Sequence, residues 1–178
     1  MEVSDTALRK MLGSPDLPAI IRLMRLIETQ SKDTLTRFAA EYVAQHYLPI
    51  TDALLPDEPR LRAAIDAVRA HMDGAPLSVV KAAVRDARAA AQSLSHAPVA
   101  QAAARAIATA CAVATTPTNA LGFAFYGAAA FAYHAAGTVA DRAVHDDLAT
   151  QELERIIAAL EAVCVPEEPN PVRVDWGC

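Results

Sequence analysis

Three observations predict an all-α protein. The chain is 53% hydrophobic but only 5% aromatic, so its apolar content comes mainly from Ala, Leu, Ile and Val, and Ala is the strongest helix former. The β-branched runs that favour strands are scarce. The stretch from Ala97 to Ala140 lacks Asp, Glu and Lys and is broken only around Thr115-Thr116-Pro117-Thr118-Asn119, which predicts two buried helices joined by a polar turn. A chain of 178 residues needs no second core. The expectation is one domain over residues 1–178, a compact bundle of about six to seven helices with its core over about 18–163 and an extended tail over 164–178.

Each element has its own signal. A short N-terminal helix is expected first. Pro15 and Pro18 then open a segment with Ile20, Met24 and Ile27 at helical spacing, opposite Arg22, Arg25 and Glu28. Ser31 to Asp33 restarts the chain, and Leu35, Phe38 and Tyr42 form the next apolar stripe until Pro49 kinks or stops it. A short piece runs on to Leu55. Pro56-Asp57-Glu58-Pro59 is a helix start, because acidic groups suit the positive helix end and proline costs nothing in the first turn. Leu61, Ile65, Val68 and Met72 follow on the inner face, and Gly74 ends the helix.

Pro76 and Ser78 begin a helix with Val80, Val84, Ala87 and Leu94 inward and Lys81, Arg85, Arg88 and Gln92 outward. Pro98 starts the first Ala-rich helix, whose one charge, Arg105, shares a side with Gln101 and Thr109. Pro117 places the turn at Thr115 to Asn119, where hydroxyl and amide side chains are expected to cap the next helix. Gly122 and Gly127 in that helix point to close helix approach, since each costs about 1 kcal/mol relative to Ala. Gly137 ends it, and Thr138 or Asp141 opens the last helix. There Val144, Leu148, Ile156, Leu160 and Val163 are expected inward, with His145, Asp146, Glu152 and Arg155 outward. Val172, Val174 and Trp176 alternate in the Pro-containing tail, as in a strand laid along a groove.

Charge and cysteine usage narrow the function classes. A formal charge of −5 gives little support to nucleic-acid or anionic-membrane binding. Cys111, Cys164 and Cys178 are odd in number and widely spaced, which disfavours a disulfide framework or a zinc site. Met1 to Ser14 carries Glu2, Asp5, Arg9 and Lys10 and lacks the apolar run of a secretory signal, so a cytoplasmic protein is expected. Ala106 to Tyr133 is uncharged and longer than the roughly 20 residues that span a bilayer. Its Ala content and the polar turn at its middle nevertheless favour a buried hairpin.

Phe38-Ala39-Ala40 with Leu48-Pro49, the turn Pro56-Asp57-Glu58-Pro59-Arg60, the helix Ala64-Ile65-Asp66-Ala67-Val68-Arg69 ending in Gly74, and Thr115 through Tyr126 resemble the Ala-rich, all-helical immunity-five-like family of bacterial immunity proteins from polymorphic toxin systems. The likeness runs over residues 35–136. It implies an all-α fold and neutralisation of a cognate protein toxin by binding. In that family, His usually stands at the positions of Thr115 and Asn119, around the retained Pro117-Thr118 and Ala120-Leu121-Gly122. The departure here carries over no catalytic or metal role.

The residues themselves offer two candidate sites. Lys81, Arg85 and Arg88, joined by Arg62 and Arg69 from the preceding helix, form a basic stripe that is either a solvated face or a docking surface for an acidic partner. Arg105, Thr115, Asn119 and Tyr126 mark a pocket or turn site, with an internal ion pair as the plainer role for Arg105 and capping for Thr115, Thr118 and Asn119. The five histidines, His46, His71, His96, His134 and His145, show no metal-ligand spacing, and no cofactor is expected. His145-Asp146-Asp147 cannot converge on one point from consecutive helical positions. The expected function is occlusion of a toxin without catalysis. Alternatives are a small-molecule-binding protein with a pocket near Tyr126 and Phe131, or a structural module such as a homodimer.

Overall fold

The computed structural model describes residues 7–177. These form seven helices of ten residues or more, together with one short helix and a 3-10 turn, and no strand is found among the described residues. In order they are α1 (Pro18–Ile27), α2 (Lys32–His46), the short α3 (Leu48–Leu54), α4 (Arg60–Met72), α5 (Leu77–Gln92), α6 (Pro98–Cys111), the 3-10 turn Ala112–Ala114, α7 (Asn119–Ala136) and α8 (Arg142–Val163). No helix among the described residues is long and apolar enough to cross a membrane. Residues 7–17 are not helical, and the rest of the expected N-terminal helix, like Cys178, lies outside the described residues.

Start and stop signals act where the residues place them. Pro18, Pro49 and Pro98 stand in the first turns of α1, α3 and α6. Ser31 Oγ accepts from the Thr34 N–H at 3.2 Å and caps α2. Glu58 accepts from the Arg60 N–H at 3.1 Å ahead of α4. Gly74, at φ +110°, lets α4 close with Gly74 N–H donating to the His71 carbonyl and Ala75 N–H to the Ala70 carbonyl.

Buried apolar residues from Leu12 to Leu160 form one continuous cluster. Helix α6 lies at its centre, packed on α2, α3, α4, α5 and α7, and its contact with α7 is the most extensive in the molecule. Only Gln101, Arg105 and Thr109, four residues apart, break its burial between Ala100 and Ala114. Everything else in that interval is buried, mostly Ala. The Gly122 position faces Thr109 Cγ2 of α6, where a Cβ would come within 3.3 Å.

The inward faces differ from expectation in three places. On α1, Leu23 is buried and Met24 is only partly so. On α8, Val144 and Val163 are exposed, whereas His145 and Glu152 are buried. His145 turns in because its Nε2 meets the Gly137 carbonyl at 2.8 Å, and Glu152 because two tyrosine hydroxyls await it. Gly127 makes room for Tyr47, not for a neighbouring helix axis.

The tail over residues 164–177 is non-helical and folds back over the α1–α2 junction. The buried Gln30 holds it with both ends of its amide: Nε2 donates to the Val165 carbonyl at 3.2 Å and Oε1 accepts the Val165 N–H at 2.8 Å. The Val172 N–H donates to the Gln30 carbonyl at 2.8 Å, and the Trp176 indole donates to Glu28 at 2.6 Å. Val172, Val174 and Trp176 are each partly buried while Arg173 and Asp175 are exposed, in the alternation that the sequence predicts.

Candidate functional site

The exposed side of α5 carries Lys81, Arg85 and Arg88, interleaved with the small exposed residues Ala82 and Ala89. It is an exposed, mainly cationic surface. Beside it, a shallow cleft of about 490 Å³ lies between α4 and α5, walled by Ala63, Val79, Ala82 and Ala83 with Arg60 and Asp86 at its edge. Arg60 is committed to Glu58 at 2.7 Å, and Arg85 lies 3.6 Å from Asp86. Among the described residues no carboxylate pairs with Lys81 or Arg88.

Arg62 and Arg69 do not extend this stripe. Arg62 is engaged by Asp52 of α3. Arg69 grips Glu41 of α2 in a two-pronged pair at 2.8 and 2.9 Å and also meets Asp66 at 3.5 Å. The bond from Arg69 holds the Glu41 carboxyl below its ordinary range. These arginines tie α4 to α3 and α2, which cancels their charge locally. Glu41 also lines a groove of about 790 Å³ between α2 and the tail, where the cations Lys32 and Arg37 stand with the carboxylates Asp33 and Glu168.

Arg105 is half-buried on α6 and, contrary to the ion pair expected of it, meets no carboxylate among the described residues. It lies in the wall of a cleft with Arg9 and Lys10. The turn residues do not join it. Thr115 Oγ1 donates to the Ala112 carbonyl at 2.9 Å and Asn119 Nδ2 to the same oxygen at 3.3 Å. They therefore satisfy the end of the preceding helix rather than capping α7, which has no side-chain cap at Thr118. Tyr126 is partly buried against the core, and neither it nor Phe131 lines any of the clefts described here.

Sequence reasoning missed a buried polar cluster. Glu152 is fully buried, and its Oε1 accepts the hydroxyls of Tyr42 at 2.7 Å and Tyr47 at 2.6 Å. Its Oε2 lies 2.6 Å from Arg155 Nη2, a charge contact without hydrogen-bond alignment. Arg155 reaches partly into water, donates from Nε to the Tyr42 hydroxyl at 3.2 Å and covers the Phe131 ring at 4.9 Å. Burial raises the Glu152 carboxyl above its ordinary value, against the lowering effect of both tyrosines and Arg155. Burial next to that carboxyl likewise raises both phenols. The one sequence signal was an i, i+3 Glu-Arg pair on α8, with Tyr42 on α2 and Tyr47 just past its end.

The raised Glu152 value has a definite sign. The folded state then holds a proton more tightly than the unfolded chain, so this group favours folding at low pH and withdraws that contribution as pH rises from about 4.5 through its native value. Glu152→Gln is expected to remove that downward slope in urea unfolding measured across a pH series. Glu41 and Glu58, both lowered by arginine partners, act with the opposite sign below pH 4.5. A variant slope equal to that of the parent above pH 4.5 would show that Glu152 does not titrate on folding.

Among the described residues, no three His, Cys, Asp or Glu side chains come together in a way that holds a metal. Cys111 is fully buried and its thiol is pushed up to about 12 by that burial, so it serves as a small apolar filler. Residues 25–162 match the family model described as "Imm-5 like putative immunity protein". No curated protein and no solved structure matches the chain.

Proposed function

The chain belongs to the family of Imm-5 like putative immunity proteins, and from that premise we propose that it acts in the cytoplasm by binding a cognate toxin protein and blocking it sterically, without chemistry of its own. The outer face of α5 carries this reading. Lys81 and Arg88 are not paired with carboxylates among the described residues in the way Arg62 and Arg69 are, Arg85 meets only its exposed neighbour Asp86 at 3.6 Å, and the adjoining α4–α5 cleft offers apolar walls for an anchoring side chain. The proposed contact surface is therefore Lys81, Arg85 and Arg88 with Val79 and Ala82. The partner face that fits is acidic, and the positive rim speeds encounter and fixes register.

The test starts with affinity capture from native cells, a salt wash and mass spectrometry, followed by titration of the captured partner. The Lys81→Glu, Arg85→Glu, Arg88→Glu variant is expected to bind about tenfold more weakly or worse, mainly through slower association, and to lose the slowing of association by added salt that the parent shows. Undiminished affinity in that variant moves the contact surface off α5. Absence of any stoichiometric partner removes the reading.

A further inference from the structure

We propose that the cleft between the segment around Arg9 and Lys10 and helix α6 binds a small phosphate-type oxyanion. The cleft is about 250 Å³, the room of about eight waters at their liquid volume. Lys10 and Arg105 bring two positive charges to its wall and Arg9 a third that it shares with Asp146, and among the described residues no Asp or Glu lines the cleft, in a chain whose net charge is −5. Ser95 adds a hydroxyl.

The three cations are not equivalent. Arg9 is an anchor: its Nη1 pairs with Asp146 of α8 at 2.7 Å and its carbonyl accepts the Tyr133 hydroxyl at 2.7 Å, which pins the N-terminal segment against α7 and α8. Lys10 follows it with an exposed ammonium. Arg105 arises from the opposite wall, half-buried on a helix that is otherwise Ala-rich, and no carboxylate among the described residues offsets its charge. Partly desolvating an unpaired guanidinium costs stability, and its fork of donors suits two oxygens of one anion. Side chains on a helix lean toward its N-terminus, so Arg105 reaches back over Gln101 toward Pro98, both of which line the same cleft. Gln101 is held in place by its bond to the Ala91 carbonyl at 2.8 Å. An oxyanion between Arg105 and Lys10 supplies the counter-charge that the described residues do not.

None of these residues belongs to the α5 surface, so this site and the docking reading stand or fall separately. The test titrates the full chain with inorganic phosphate, pyrophosphate and a nucleoside monophosphate at constant ionic strength, read by calorimetry and by phosphorus NMR. Saturable binding at millimolar concentration or below is expected, with Arg105→Gln weakening it about tenfold and Lys10→Gln by a smaller factor. Preference for the ester identifies a phosphorylated small molecule as the source, and preference for the inorganic ion identifies free phosphate. Both variants alter surface-accessible side chains, and circular dichroism checks that they fold. Non-saturating binding, or identical titrations for the parent and both variants, overturns the proposal.

Discussion

Gly127→Ala is expected to destabilise the protein by about 3 kcal/mol, a large loss for the addition of one methyl group. A Cβ there would stand 2.2 Å from the Tyr47 hydroxyl oxygen and within 2.7 Å of two ring carbons. Tyr47 cannot step aside, because it is fully buried and its hydroxyl is bound to Glu152. Chemical denaturation should show a lower midpoint with an unchanged slope. Combining Gly127→Ala with Tyr47→Leu should cost less than the two single changes together, because the second removes the ring that the first strikes. Strict additivity would mean that the helix backbone moves to accommodate the methyl.

Glu152→Ala is expected to cost about 4 kcal/mol, from two buried hydroxyls left without an acceptor and the cavity beside them. Arg155 adds less to this loss, because its side chain is 43% exposed and can turn to water. Glu152→Gln keeps an oxygen for the tyrosines and should cost clearly less. The comparison is read from unfolding curves of both variants at one pH. Equal losses would shift the explanation from the hydroxyl acceptor to the carboxylate charge.

The two substitutions probe the part of the molecule that the residue pattern hid. Helix starts and stops were legible because Pro18, Pro59, Gly74, Pro98 and Gly137 act through local backbone geometry, which travels with the sequence. The central Ala-rich pair was legible because small and apolar residues dominate both helices and leave only a narrow polar edge at Gln101, Arg105 and Thr109. The inner face of α8 was not. Val144 and Val163 look like core residues and Glu152 like a surface one, but a carboxylate can be buried when distant residues supply its donors, and Tyr42 and Tyr47 lie more than a hundred positions away. The stripe of cations misled for the same reason. Arg62 and Arg69 share a helix face with exposed residues, yet their carboxylate partners Asp52 and Glu41 come from other helices. Arg105 stands out in the sequence as the one charge of its helix, but that it meets no carboxylate among the described residues is a fact of the assembled molecule only.

The broad contact between α6 and α7 also bears on the order in which the chain assembles. These helices are adjacent in sequence and joined by a turn of a few residues, so bringing them together closes a short loop at little entropic cost. Their facing side chains are mostly Ala, which surrender no rotamer freedom when they meet. The contact that dominates the finished fold is thus also one of the easiest to form early, a nucleus on which α5, α8 and α2 can condense. The Glu152 cluster needs α2 and α8 to arrive from distant parts of the chain and belongs to the late, descending side of the barrier. Substitutions in the alanine hairpin are therefore expected to slow folding, and substitutions at the tyrosines to shorten the lifetime of the folded state, which folding and unfolding rates of such variants would check.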